Sequence, residues 1–320
     1  DGEPNFSATL AEINQSSYDS SQLCRVVATL LAPQLSQSPL LVCGDGAIAI
    51  PAIEETNSLG KILEIFNGVF CSLLLGGHIC EAIDSRDVVA GNLHEKRSIW
   101  PTGLGSSLNS YLQSAIRMRI AGSLSGIRLD APLNVTVSHF LSTYARGRDL
   151  LDKIAGVSPT LLLRGYTELR YQNYVDALAN LWIVTEQLTE LLWRNDFLAD
   201  GKNHPAIDIS NRRKALREDG RTWSISVRQE ILFQKGILGD ESFAALFTAR
   251  KARNDLVHAG KSPPAQIVQS LFAAIIDLVE ILSGMRAEEI RKLPVDSQVQ
   301  FADLSTSDMN DWNETAARHL

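Results

Sequence analysis

Residues 250–260 read Arg-Lys-Ala-Arg-Asn-Asp-Leu-Val-His-Ala-Gly, a tract rich in groups that bind phosphate and move protons. Arg253 and His258 are separated by four residues, and Asn254 follows the arginine directly. An imidazole titrates near neutral pH and can serve as acid or base. A guanidinium neutralises charge on phosphoryl oxygens through its planar fork of donors. Together they suit cleavage of RNA by its own 2′-hydroxyl. The histidine would carry the proton of the 2′-oxygen or of the leaving 5′-oxygen. The nucleophile belongs to the substrate, so the reaction requires neither metal nor cofactor, and DNA would resist it.

A helix from Asp240 to Gly260 would carry the tract. His258 then falls in the last turn, where the partial negative charge of the helix end favours an imidazolium. Asn254 and Asp255 stand four and three residues earlier, over the same face, and Asp255 could orient the ring. Arg250 neighbours Arg253. Arg253 and His258, however, are about 140° apart around an ideal helix. A substrate draped over the helix end, or a second copy across a two-fold axis, would be needed to engage both. The plainer alternative makes Arg253 and Asp255 a solvated face with a surface ion pair worth ~0–1 kcal/mol, and His258 an ordinary residue of a helix end.

The surrounding periodicity predicts an all-α, up-and-down bundle over residues 151–285. Tyr174, Leu178, Leu181, Thr185, Leu188 and Leu192 form one stripe, widened by Trp182 and Leu191, on a long helix that Gly165 or Asn173 could break. Asp208 is expected to cap a short helix through Arg217, and Ser224 or Ser226 another that runs to Lys235. Asp240 is expected to cap the motif helix, with Phe243, Leu246, Phe247, Leu256 and Val257 inward. Pro263-Pro264 opens a last helix with Ile267, Leu271, Ile275, Leu278 and Leu282 on one face.

Set at the end of that helix, Arg253-Asn254-Asp255-Leu256-Val257-His258 resembles the Arg-x4-His signature of the HEPN superfamily, in its Arg-Asn form. The helix from Tyr174 to Glu186 resembles the long first helix of the HEPN bundle. The resemblance implies a metal-independent endoribonuclease acting as a homodimer whose two motifs meet in one cleft, often a toxin or anti-phage effector. By that analogy Arg253 and His258 are catalytic, Asn254 and Asp255 support them, and Glu186 and Arg250 are possible additions. The basic run Arg212, Arg213, Lys214 and Arg217 would hold the RNA backbone. A regulatory or antitoxin-like protein partner is the further expectation. The alternative is a non-catalytic dimerisation or nucleotide-binding module under partner control. Glu186 and the basic run read equally as solvated helix surface.

Residues 1–150 predict a mixed α/β domain to which no motif assigns a role. Helices are expected over 21–34, 58–75 and 104–120, and short strands at Pro39–Val42, Ala47–Ile50 and near Val88. Gly44-Asp45-Gly46 reads as a hairpin turn, because no third glycine or Gly-Lys-Ser/Thr follows to build a phosphate loop. Arg117, Arg119 and Arg128 are expected on a solvated face, and residues 134–154 fit strand or helix. His78 is expected at a helix end or in the core. The fold class is thus an α-rich two-domain chain, with residues 286–320 as a polar acidic tail.

Bulk properties narrow the function. The 320 residues carry a net charge of −7, which argues against a general nucleic-acid coat protein but not against one local RNA site. Cys24, Cys43, Cys71 and Cys80 match no zinc spacing and sit in apolar runs, so buried, reduced thiols are expected. The acidic start predicts no secretory leader, no apolar run reads as long enough to span a bilayer, and a cytoplasmic location follows.

Overall fold

β-branched residues decide the first element. Val26, Val27 and Thr29 favour an extended chain, and the helix expected over 21–34 shrinks to α1 (Ser21–Cys24), followed by strand β1 (Val26–Leu30). The computed structural model describes residues 21–35, 38–118, 135–198, 223–295 and 317. β1 pairs antiparallel with β2 (Leu40–Cys43), which pairs with β3 (Ile48–Ala49) in the order β1-β2-β3. The register sets Leu30 opposite Leu40 and Val42 opposite Ile48. Gly44-Asp45-Gly46 makes the hairpin turn between β2 and β3. Gly46 has a φ of 84°, and the Asp45 carboxylate accepts the Ala47 N–H at 3.1 Å.

A second hairpin, β4 (Gly91–His94) and β5 (Ser98–Pro101), lies beyond the strand expected near Val88. It is tied to the first sheet by the Val26 N–H bonding to the Arg97 carbonyl at 2.8 Å. Between the sheets in sequence runs α2 (Leu59–Leu75), whose N-terminus is capped by Ser58, accepting the Lys61 N–H at 3.4 Å. Helix α3 (Leu108–Arg117), capped by Ser107, closes the N-terminal region.

The rest is helical. α4 (Val137–Lys153) settles the ambiguity over 134–154 in favour of helix. α5 (Pro159–Arg170) and α6 (Tyr174–Leu192) are split at Tyr171–Asn173, where Gln172 adopts a φ of 60°. α6 runs on into a wider π turn, Trp193–Leu198. α7 (Ile225–Gln234), α8 (Asp240–Ala259), α9 (Ala265–Ser283) and the short α10 (Glu288–Arg291) follow. Gly239, not Asp240, occupies the N-cap of α8. The helix expected through Arg217 lies outside the described residues.

α5, α6, α8 and α9 pack as neighbours, and α2 lies against α4 and α5. One apolar core runs from Leu30 through Leu74, Leu163, Leu181 and Leu246 to Ile290, crossing the position where a boundary at 150 was expected. That position falls inside α4. Small residues let α2 and α4 touch backbone to backbone. A Cβ on Gly147 would stand 1.7 Å from the Ser72 carbonyl oxygen, and one on Gly76 2.0 Å from that of Thr143. Hydrogen bonds tie the helices to the N-terminal segments as well: Tyr144 Oη on α4 donates to the Leu31 carbonyl at 2.7 Å, and the Ala82 N–H to Thr167 Oγ1 on α5 at 2.9 Å.

The apolar stripes of α6 and α9 are inward as expected, with Leu178, Leu181, Leu188, Leu271, Ile275 and Leu278 buried. α9 corrects one expectation. It is 19 residues long, and an 18-residue stretch of it has a mean hydropathy of 1.7, apolar enough by length and composition to cross a membrane. Here that surface packs against α6 and α8. All four cysteines are buried and unpaired. Burial pushes the Cys24 thiol up to about 11 and Cys71 up to about 12, which removes thiolate chemistry at neutral pH.

Candidate functional site

Helix α8 positions the Arg-x4-His tract. Leu246, Ala249 and Ala252 bury one side of it against α6 and α9. Gly260 ends it in the left-handed conformation, φ 63°, with its N–H returned to the Leu256 carbonyl at 3.0 Å. The opposite side faces solvent and carries Phe247, Lys251, Asn254, Val257 and His258, all exposed. Phe247 and Val257 were expected inward. They are instead 52% and 59% exposed, because an amphipathic helix with Leu246, Ala249 and Ala252 inside has no further room for them in its buried sector.

Positions 247, 251, 254 and 258 recur at intervals of four and three and form one stripe, with Arg250 at its edge. The Arg250 guanidinium lies over the Phe247 ring, 5.2 Å from its centroid. Both line a groove of about 260 Å3 shared with Glu230 and Val227 of α7. His258 makes no hydrogen bond or ion pair among the described residues, so its ring is open to a ligand.

The structure does not bring every predicted residue together. Arg253 is half-buried and sits about 140° from His258 around the helix. Its Nη1 donates to the Asn254 side-chain oxygen at 3.4 Å, a local link toward the stripe. Asp255, half-buried, stands about 60° from His258. Glu186 has a different employment: it accepts the indole N–H of Trp182 at 2.7 Å, one turn back on α6. Arg212, Arg213, Lys214 and Arg217 lie outside the described residues, as do Arg119 and Arg128. Among the described residues no group of three or more His, Cys, Asp and Glu side chains is placed to hold a metal ion.

Sequence reading missed Phe247 and Lys251 as members of the open stripe. The signal was present, since both share the i, i+3, i+4 spacing of Asn254 and His258. An apolar Phe, however, is assigned inward by default. Arg117 is the second miss. Far from a solvated face, it is 5% exposed. Its Nε donates to Asp45 Oδ2 at 2.6 Å, its Nη2 pairs with the other Asp45 oxygen, and its Nη1 donates to the Ile99 carbonyl at 3.1 Å. Burial alone would lower its pKa. The Asp45 hydrogen bonds and charge more than reverse that, so it remains a cation.

Comparison of the chain with models of known protein families, with curated proteins and with solved structures returns no match.

Proposed function

We propose that this protein is an endoribonuclease that cleaves RNA through the substrate's 2′-hydroxyl, in the manner of HEPN ribonucleases. The observation that carries the reading is the open stripe on α8: an exposed imidazole at a helix end, without a hydrogen bond among the described residues, in line with Asn254 and an exposed aromatic ring, with Arg250 at the edge. A base removes the 2′-hydroxyl proton, and the 2′-oxygen bonds to phosphorus as the P–O5′ bond breaks. The 5′-oxygen takes a proton. The products are a 2′,3′-cyclic phosphate and a 5′-hydroxyl. His258 is the proton-transfer group, and Arg253 with Arg250 neutralises the phosphoryl oxygens. Phe247 offers a face on which an unpaired base can stack.

The divergence of Arg253 and His258 is the reason the reading includes a homodimer. Exposed Val257 lies between them around the helix. A second copy seated over Val257 would set Arg253 of one chain and His258 of the other along a single seam. The same divergence favours the second reading, a non-catalytic dimerisation or nucleotide-binding module held by a partner protein. One chain does not aim both groups at one phosphate.

Purified protein incubated with RNA in EDTA decides between them. Cyclic-phosphate ends, lost in His258→Ala and in Arg253→Ala and lost when the RNA is 2′-deoxy at the cut, support the enzyme. Equal cleavage by wild type and both variants removes this site. A monomer by light scattering at all working concentrations removes the shared seam. The toxin or anti-phage role rests on the same residues: expression of wild type should arrest cell growth, and His258→Ala should not.

A further inference from the structure

The N-terminal region encloses a cavity of about 890 Å3 that the motif on α8 does not use. Its size falls in the ~300–1,000 Å3 range of small-molecule sites. Leu41 and Ile48 come from the β2–β3 hairpin, Ile62, Phe66 and Phe70 from α2, and Ile99 from β5. All six are only half-buried, so several separate elements leave apolar surface facing one common space. Such surface is costly to leave wet, at ~25 cal/mol per Å2.

One end of the cavity is polar, and its hydrogen bonds define what can enter. The Asp45 oxygens already receive Arg117, the Ala47 N–H and, at 3.3 Å, Gln113 Nε2. Each Arg117 nitrogen already donates to Asp45 or to the Ile99 carbonyl, and Asp45 balances its charge. The hydroxyls of Ser110 and Ser114 donate to the carbonyls of Arg86 and Ser110, at 2.8 and 2.6 Å. Two side chains at this end keep an acceptor oxygen without a donor among the described residues. These are the side-chain oxygen of Gln113, whose nitrogen is fixed on Asp45, and the Asp87 oxygen not taken by the Asp84 N–H. An anionic head would meet an occupied arginine and two carboxylates. A hydrogen-bond donor would meet open acceptors.

We propose that this cavity is a binding site for a neutral, mainly apolar small molecule that donates a hydrogen bond toward Gln113. The wall helix α2 carries Ile62, Phe66 and Phe70 into it while packing its other side on α4 and α5. The assignment is independent of the ribonuclease reading.

Two dyes of one shape test it on the full chain. N-phenyl-1-naphthylamine is neutral and carries one N–H; 1-anilinonaphthalene-8-sulfonate adds a sulfonate to the same rings. The neutral dye should show saturable fluorescence enhancement at a single site, and the sulfonate should bind at least about tenfold more weakly. Ile62→Trp, which fills the space, should abolish the signal. Val89→Trp, at another lining position, does the same should the first variant fail to fold by circular dichroism. Gln113→Leu should weaken the neutral dye by about 3–10-fold, the loss of one hydrogen bond. Absence of saturable binding, equal affinity for the two dyes, or undiminished binding by a folded filler variant overturns the site.

Discussion

Arg117 and Arg253 are the same side chain in opposite states. Arg117 lies within the N-terminal region with every guanidinium nitrogen committed and its counter-charge, Asp45, held against it. Arg253 lies on the flank of α8, and among the described residues its hydrogen bond is to its own neighbour, Asn254. The first arrangement is tied into the fold at every nitrogen. It can fix the β2–β3 turn against α3 and β5, and its charge is already matched by Asp45. The second adds little to the fold and keeps its donors available. A buried ion pair is therefore structural machinery here, while the surface stripe is where a phosphate could still be bound.

The comparison breaks most visibly at Asp45. Asp45→Ala leaves the Arg117 cation buried without its partner, and a destabilisation of ~3–5 kcal/mol is expected. Urea unfolding measures it. Replacing both, as Asp45→Ala with Arg117→Met, should recover much of that loss, because no charge then stays in the interior. A single variant as stable as wild type would mean that the pair is solvated and that the two arginines do not differ as described.

Next in size is the join between α2 and α4. Gly147→Ala places a methyl against the Ser72 carbonyl, and the helices must separate. A loss of ~1–3 kcal/mol is expected, the usual cost of overpacking. The α2 wall of the cavity should move with it, so dye binding in the N-terminal region should weaken as well. If the ribonuclease reading holds, cleavage should be spared at temperatures where the chain is folded.

What could be read beforehand followed from what each residue does locally. Ser224 marked a helix start, Gly260 marked a helix end, and the stripes of α6 and α9 showed their buried faces without a structure; Ser107, inside the helix expected over 104–120, is instead the cap of one that begins at Leu108. Failures came where a distant partner decides. Val26-Val27-Ala28-Thr29 is apolar enough for a helix, and pairing with β2 adds to its β-branched bias to make it a strand. Arg117 reads as surface until Asp45, 72 residues away, is set beside it. Phe247 reads as core until Leu246 and Ala249 take the space. The candidate motif was legible as a string of residue types. Its splayed geometry followed from helical pitch alone, but the neighbouring aromatic did not.

Acid sharpens the contrast without mutation. Burial, and then the charge of His139, hold His78 below its ordinary value of 6.5, so the folded chain disfavours its protonation. The unfolded chain binds that proton first, and the stability His78 contributes is present above 6.5 and lost as pH falls toward its folded value. Hydrogen bonding from Arg291 holds Glu280 below its ordinary 4.5. Its contribution is present above 4.5 and lost as pH falls through the lower folded value. His78→Gln should flatten the upper limb of stability against pH and leave the lower one. Glu280→Gln should do the reverse. Loss of both limbs in either variant would mean that the two groups titrate as one unit.

The smallest stability effect belongs to the motif itself. His258 is exposed and without a hydrogen-bond partner among the described residues, where the hydrogen bond of Arg253 is to its own neighbour. His258→Ala and Arg253→Ala should each unfold within about 0.5 kcal/mol of wild type, as surface changes do. If the ribonuclease reading holds, turnover should nevertheless fall by about 10²–10⁴-fold in His258→Ala, the usual contribution of a positioned acid or base. Unchanged stability with lost cleavage is a pattern that Asp45→Ala cannot produce, because there the fold fails first. A loss of stability beyond about 1 kcal/mol in His258→Ala would instead show that the imidazole is employed by the fold, as Arg117 is, and is not free for a substrate.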